Sequence, residues 1–325
     1  MDLNMKNKIL CVTLTIITLA LAVLSLFVGR YSISLDSLLA LDPVQWEIFY
    51  VLRMGRTITA LLGGFALGLC GFVFQIVFKN SLASPGIVGV SSGASAGAAV
   101  GILFFGGALA VTFFSFFGAI CAVSLVLWFS YFDRSRKKGS IVLAGIAVNA
   151  LTQTILMTLK LVADPESHLA AIEYWMMGSL ASVSMDRLWW SVFVIVGTSA
   201  ALMALHRQLI LLSGDEDEAH SLGVSVQSLR LIILLLATLG VSSVISMTGL
   251  INFVGLIAPH IARRVARNNR LSTMFMAGVL GSLLLLTSDI MARNLASSEL
   301  PISIFTSVLG VPFLVWLTWQ EECAR

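Results

Sequence analysis

Apolar stretches of about twenty residues alternate with brief polar breaks along almost the whole chain. From Asn80 to Phe132, 53 residues pass without an Asp, Glu, Lys or Arg. A helix needs about 20 apolar residues to cross the hydrocarbon of a bilayer, so this run holds two crossings and a turn. The same pattern predicts ten segments: 9–28, 56–78, 87–105, 108–131, 140–161, 188–206, 228–247, 250–266, 271–291 and 302–319. Segment 250–266 is the shortest, and it carries Pro259 and His260. Nothing alternates with the two-residue period of a transmembrane β-barrel. The expected fold class is all-α integral membrane protein, about ten transmembrane helices in one polytopic domain over 1–325.

Composition agrees. Hydrophobic residues make up 58% and charged residues 11% of 325, where soluble domains carry roughly 25% charged. The N-terminal "MKNKILCVTLTIITLALAVLSLF" has the basic start of a signal peptide. It has no clear small-x-small cleavage site and its apolar run is long, so it reads as the first membrane helix. Cys11, Cys70, Cys121 and Cys323 are scattered, without zinc or disulfide spacing. A net charge of +3 does not point to nucleic acid, because the basic residues gather beside the spans.

Those basic residues set an orientation. With the N-terminus inside and the spans alternating, fourteen Lys and Arg fall inside and six outside. Both termini are then cytoplasmic. Small residues recur at three- and four-residue spacing in "GGFALGLCG" (63–71) and "GVSSGASAGAAVG" (89–101), which allows helices to approach closely.

Several motifs invite chemistry. "GASAG" (93–97) matches the G-x-S-x-G nucleophile elbow around Ser95, but an elbow needs a strand-to-helix turn and no strand precedes it. His260 has no other ligand type at metal spacing. Pro259 bends or breaks its helix. Asn149 and Gln153 share a helix face, toward a cavity or a neighbouring helix. Asp289 and Arg293, four apart, are placed to pair. No G-x-x-x-x-G-K-[ST] loop occurs, so ATP hydrolysis by this chain is not expected. The run "DEDEAHSL", Asp215 onward, places acids at the positive end of a short cytoplasmic helix, closed by Gly223. Ala219, Leu222 and Val224 give it an apolar side suited to a partner's groove.

Stretches in order along the chain resemble the FecCD-type permease family of ABC importers for ferric siderophores, haem and vitamin B12. They are "VLRMGRTITALLGGFALGLCGFVFQIVFKNSLASPGIVGVSSGASAGA" (51–98), "VLAGIAVNA" (142–150), "YWMMGSL" (174–180), "AHSLGVSV" (219–226), "GLINFVGLIAPHIAR" (249–263) and "ELPISIFTSVLGVPFLVWL" (299–317). The resemblance implies the vitamin-B12-permease-like, type II importer fold and a bacterial cytoplasmic membrane location. It implies three partners in the bilayer system: a second permease subunit, a cytoplasmic ATPase dimer and an extracytoplasmic substrate-binding protein. ATP and Mg would sit on the ATPase, and this chain would bind no cofactor and catalyse nothing.

Residue by residue, the resemblance implies a coupling helix near 213–224, using Asp215, Glu216, Asp217, Glu218, Ala219, Ser221, Leu222 and Gly223. It implies binding-protein docking at Arg53, Arg56 and Arg293. It implies a cytoplasmic gate at Asn80, Leu82, Lys138 and Gly139. The family's R-x-P-R appears here as Arg53-Met54-Gly55-Arg56, without the proline, and Ser81 replaces the proline of the family's "NPLA". Ferric siderophore is the leading cargo, with haem and cobalamin as alternatives. A secondary transporter and an intramembrane hydrolase using Ser95 are the readings from other classes.

Overall fold

A computed structural model describes residues 3–29, 42–132, 140–181, 183, 185–214, 225–295 and 299–323. Among them the regular structure is helical. In chain order the helices are α1 (Leu3–Phe27), α2 (Gly55–Val77), α3 (Val90–Val100), α4 (Ala108–Phe132), α5 (Ser140–Val162) and α6 (Ala170–Met177). Then come α7 (Met185–Ala204), α8 (His206–Ser213), α9 (Val226–Thr248), α10 (Val254–Ala266), α11 (Leu271–Asn294) and α12 (Ile302–Cys323).

Each of the ten expected segments contains a helix. Length and hydropathy alone qualify six of them, among the described residues, to cross a membrane, and the pair α7–α8, bent by 60°, makes a seventh. The others are shorter: Val90–Phe105, Ile302–Trp316 and the thirteen-residue α10.

Burial sorts the helices into a centre and a rim. The apolar window of Pro43–Val77 is 83% buried, that of α1 only 17%. Helix α2 packs on α11, α10, α9 and α7, while α1 lies outside against α11. Glycine explains why α2 can be the hub. A methyl at Gly64 would sit 2.5 Å from the carbonyl oxygen of Gly281 on α11, and methyls at Gly68 and Gly71 would strike the carbonyls of Ala277 and Gly255. On the α3–α4 contact, Gly93 and Gly97 do the same against Gly118 and Phe114. Both small-residue stretches are therefore close-packing faces. Ser95 lies in the middle of α3, its hydroxyl donating to the Ser91 carbonyl at 3.0 Å. No strand leads into it, so the elbow geometry is absent and the hydrolase reading falls.

Segment 250–266 departs from a continuous span. Residues 249–253 form an irregular strap, with Gly249 and Phe253 at positive φ (72° and 65°), and helix begins only at Val254. The strap is tied down on both sides. Thr248 accepts a bond from Ser179 N at 2.7 Å, and Leu250 accepts one from Ser303 Oγ at 2.7 Å. Pro259 sits inside α10.

Candidate functional site

Charged side chains meet at the end of the bundle where α1 finishes, α2 begins and α11 finishes. Residues Pro43–Glu47 form one helical turn, and a π-helical stretch, Ile48–Met54, leads from it into α2. Arg53 and Arg56, three apart, fall on one inward face. Asp289 is completely buried. It forms ion pairs with Arg56 at 3.3 Å and with Arg293 at 3.0 Å. Arg56 also holds Glu299 at 2.7 Å, and the Glu299 side chain is 35% exposed. Arg293 donates to Ser25 Oγ at 2.6 Å, and Ser25 in turn meets Thr57 at 3.1 Å. Arg53 donates to the Leu26 carbonyl at 3.1 Å.

The three arginines named from sequence thus come together, each less than 10% exposed. The i,i+4 pair of Asp289 and Arg293 forms as its spacing indicated. Sequence reasoning did not find the contribution of Glu299 or of Ser25. The available signal was physical: a carboxylate inside a membrane span must be paired, and two arginines near the start of a distant span needed acids.

At the opposite end of α2, the chain turns tightly. Lys79 has φ 48°, and Asn80 Oδ1 accepts a bond from Leu82 N at 2.9 Å. The Leu82 side chain is exposed. Lys79 Nζ donates to the carbonyl of Gly214, the residue closing α8. The residue preceding the sequence-named gate positions Asn80 and Leu82 is therefore bonded to the residue just before the acidic run. Lys138, Gly139 and the coupling residues Asp215–Gly223 lie outside the described residues.

Between these ends, α2, α9, the turn Pro85–Val88 and the 249–253 strap line a partly open cleft of about 290 Å³, with Leu67, Val241 and Phe253 as apolar walls and Ser84, Ser91 and Asn252 as polar ones. Below it, Gln75 donates to the Leu256 carbonyl at 3.1 Å and accepts from Arg263, whose guanidinium lies over the Phe72 ring at 5.1 Å. His260 packs edge-on against Phe313. Asn149 and Gln153 sit half-buried on α5.

A bundle of apolar helices around a glycine-packed hub, with charges gathered at its ends, defines a polytopic membrane protein. Within that class the chain belongs to the FecCD transport family, whose sequence pattern matches residues 17–320. It is similar to the molybdate import permease MolB of Haemophilus influenzae, with 34% identity over 94% of both chains. It is 31% identical to the iron-uptake permease FeuC of Bacillus subtilis, over 94% of this chain and 95% of that one. It is 32% identical to the hemin transport permease HmuU of Yersinia pestis, over 100% and 99%. A solved inward-facing structure, described as of the metal-chelate ABC transporter type, superposes with a TM-score of 0.88. Its identity is 32%, with 96% of this chain and 99% of that one covered. The chain is a permease of a type II ABC importer.

Proposed function

We propose that the cargo is an iron chelate, with ferric siderophore first and haem or cobalamin as alternatives. The observation that carries this is the full-length match, in sequence and fold, to a structure of metal-chelate type, beside relatives named for iron and hemin. The 34% identity to a molybdate permease supports a second reading, a small oxyanion as cargo. On either reading the chain works in the bacterial cytoplasmic membrane with both termini inside. It pairs with a second permease subunit, and a cytoplasmic ATPase dimer drives it through the segment near 213–224. A substrate-binding protein delivers cargo at the end that carries Arg53, Arg56 and Arg293.

The gathering of three arginines at that end supports docking of an acidic surface. Arg56 and Arg293 pair with Asp289, and Arg56 also with Glu299, while Arg53 lies beside them on the Leu26 carbonyl. Docking requires these buried arginines to turn toward a partner, and Arg56 with its half-exposed mate is the one nearest the surface.

Uptake decides between the readings. The tagged complex is purified with its co-purifying ATPase and binding protein and placed in proteoliposomes. ATP-dependent accumulation of 55Fe-siderophore, with 99Mo-molybdate excluded, is the expected outcome. Molybdate uptake without iron uptake establishes the second reading. Uptake without any ATPase returns the chain to the secondary transporters.

A further inference from the structure

The ion pair of Arg56 with Glu299 differs from its neighbours in reaching water. Asp289 has no access to solvent and is held by Arg56 and by Arg293, at 3.3 and 3.0 Å. Separating it from them would leave a buried charge uncompensated. The Arg56 side chain is 10% exposed and that of Glu299 35%. Exposure therefore rises along the contacts from Asp289 to Arg56 to Glu299. The two acids also take different ends of the guanidinium: Nη2 donates to Asp289, and Nη1 donates to Glu299 at 2.7 Å. Nε of Arg56 is buried and finds no acceptor among the described residues. Arg56 thus has an inner acid that it must keep and an outer acid that it can give up.

The backbone permits the exchange. Glu299 is carried on the connection between α11 and α12, which is pinned just downstream of it. Leu300 N donates to the Ala292 carbonyl at 3.4 Å and Ile302 N to the Gly178 carbonyl at 3.0 Å, with Pro301 between them. The Glu299 carboxylate can leave by rotation about its own side-chain bonds while this segment stays in place. A partly exposed ion pair holds only weakly, so it yields to a competitor. A second carboxylate brought to Nη1 would stand beside Glu299 and meet like-charge repulsion.

We propose that Glu299 is a resident competitor at the docking end: it occupies Arg56 while the permease is unengaged, and a carboxylate on the substrate-binding protein displaces it. This rests on the reading above that a binding protein docks through Arg56. It adds that docking exchanges one carboxylate for another, so Glu299 weakens the attachment and hastens release. A purely structural Glu299, which only ties the α11–α12 connection to the start of α2, would do the opposite, since its loss would loosen the surface that the partner meets.

The test measures docking on the full complex in detergent, using the binding protein that co-purifies with it, released by high salt and added back. Glu299→Gln is expected to tighten docking by about two- to fivefold, the range of a partly exposed ion pair, and Arg56→Gln to weaken it. On the Arg56→Gln background the Glu299 substitution is expected to change nothing, because the acid has no guanidinium left to occupy. This cycle separates exchange at Arg56 from the general relief of removing a negative charge, which would persist in both backgrounds. Should Arg56→Gln unfold, Arg56→Lys serves as the background. Its single ammonium cannot hold two carboxylates as a planar fork does, and the gain from Glu299→Gln is expected to shrink. Docking that Arg56→Gln leaves unchanged removes the docking role of Arg56 and this proposal together. Docking weakened by Arg56→Gln, with no gain in Glu299→Gln or with an equal gain in both backgrounds, overturns the proposal alone.

Discussion

Asp289 has no access to solvent and two arginines on it. Removing one partner from a buried ion pair costs about 3–5 kcal/mol, since the other charge stays behind without compensation. Arg56 retains Glu299 at 2.7 Å, and Arg293 keeps its bonds to Ser25 and to the Val28 carbonyl. Asp289→Asn is therefore expected to lower the thermal unfolding midpoint of the detergent-solubilised protein by several degrees. Asp289→Leu/Arg293→Met, which removes both the acid and the charge it strands, should unfold at a higher temperature than Asp289→Asn. A double variant less stable than the single would show that Arg293 is held by something other than Asp289. Half of this cluster was legible in the sequence. The Asp289–Arg293 pair follows from helical spacing, but Arg56 and Glu299 are 243 positions apart, and no local rule joins such residues.

At the scale of helices, the contact of α2 with α10 joins two breaks in pattern. Pro259 has no N–H to give to the carbonyl four residues back, which is that of Gly255. That same carbonyl is what a methyl on Gly71 would strike. The missing helical donor leaves the oxygen turned toward a glycine of the neighbouring helix, where a Cα–H can approach it. Gly71→Ala forces backbone against side chain and is expected to cost about 1–3 kcal/mol, read as a lower unfolding midpoint and poorer yield in the membrane. Gly197 on α7 is the control, because a methyl there meets nothing within 4 Å. Gly197→Ala should be neutral or slightly stabilising. Equal effects at the two positions would remove the packing argument. The glycine stripes announced close approach in the sequence, yet not which helices approach. The strap at 249–253 was hidden for another reason. Apart from Asn252 it carries no polar side chain, so hydropathy ran straight through it, and no local rule announces the non-glycine positive φ at Phe253.

For the whole molecule, the question is how an event at the cytoplasmic partner reaches the path. The described residues show one link: Lys79, at the end of the hub helix, bonds the carbonyl of Gly214. Helix α8, which Gly214 closes, also packs on α2. A push delivered to the segment after Gly214 would thus have two routes to the turn of Asn80 and Leu82, this ammonium group and the packing of α8 on α2. Lys79→Met keeps the stem and deletes the donor. ATP-driven uptake is expected to fall about two- to tenfold, the range of one charge-assisted hydrogen bond that is partly exposed, while ATP hydrolysis by the assembled complex continues. Leu222→Asp acts on the other side of the link. In the coupling segment proposed above, a charge at Leu222 would weaken the complex itself, so hydrolysis stimulated by the permease and uptake should fall together. The two variants therefore have different signatures. Lys79→Met separates hydrolysis from uptake, and Leu222→Asp abolishes both. If Lys79→Met transports at the parental rate, the Gly214 contact is incidental and the force must travel through helix packing. If Leu222→Asp transports normally, the acidic run beside it is not where the ATPase holds this chain.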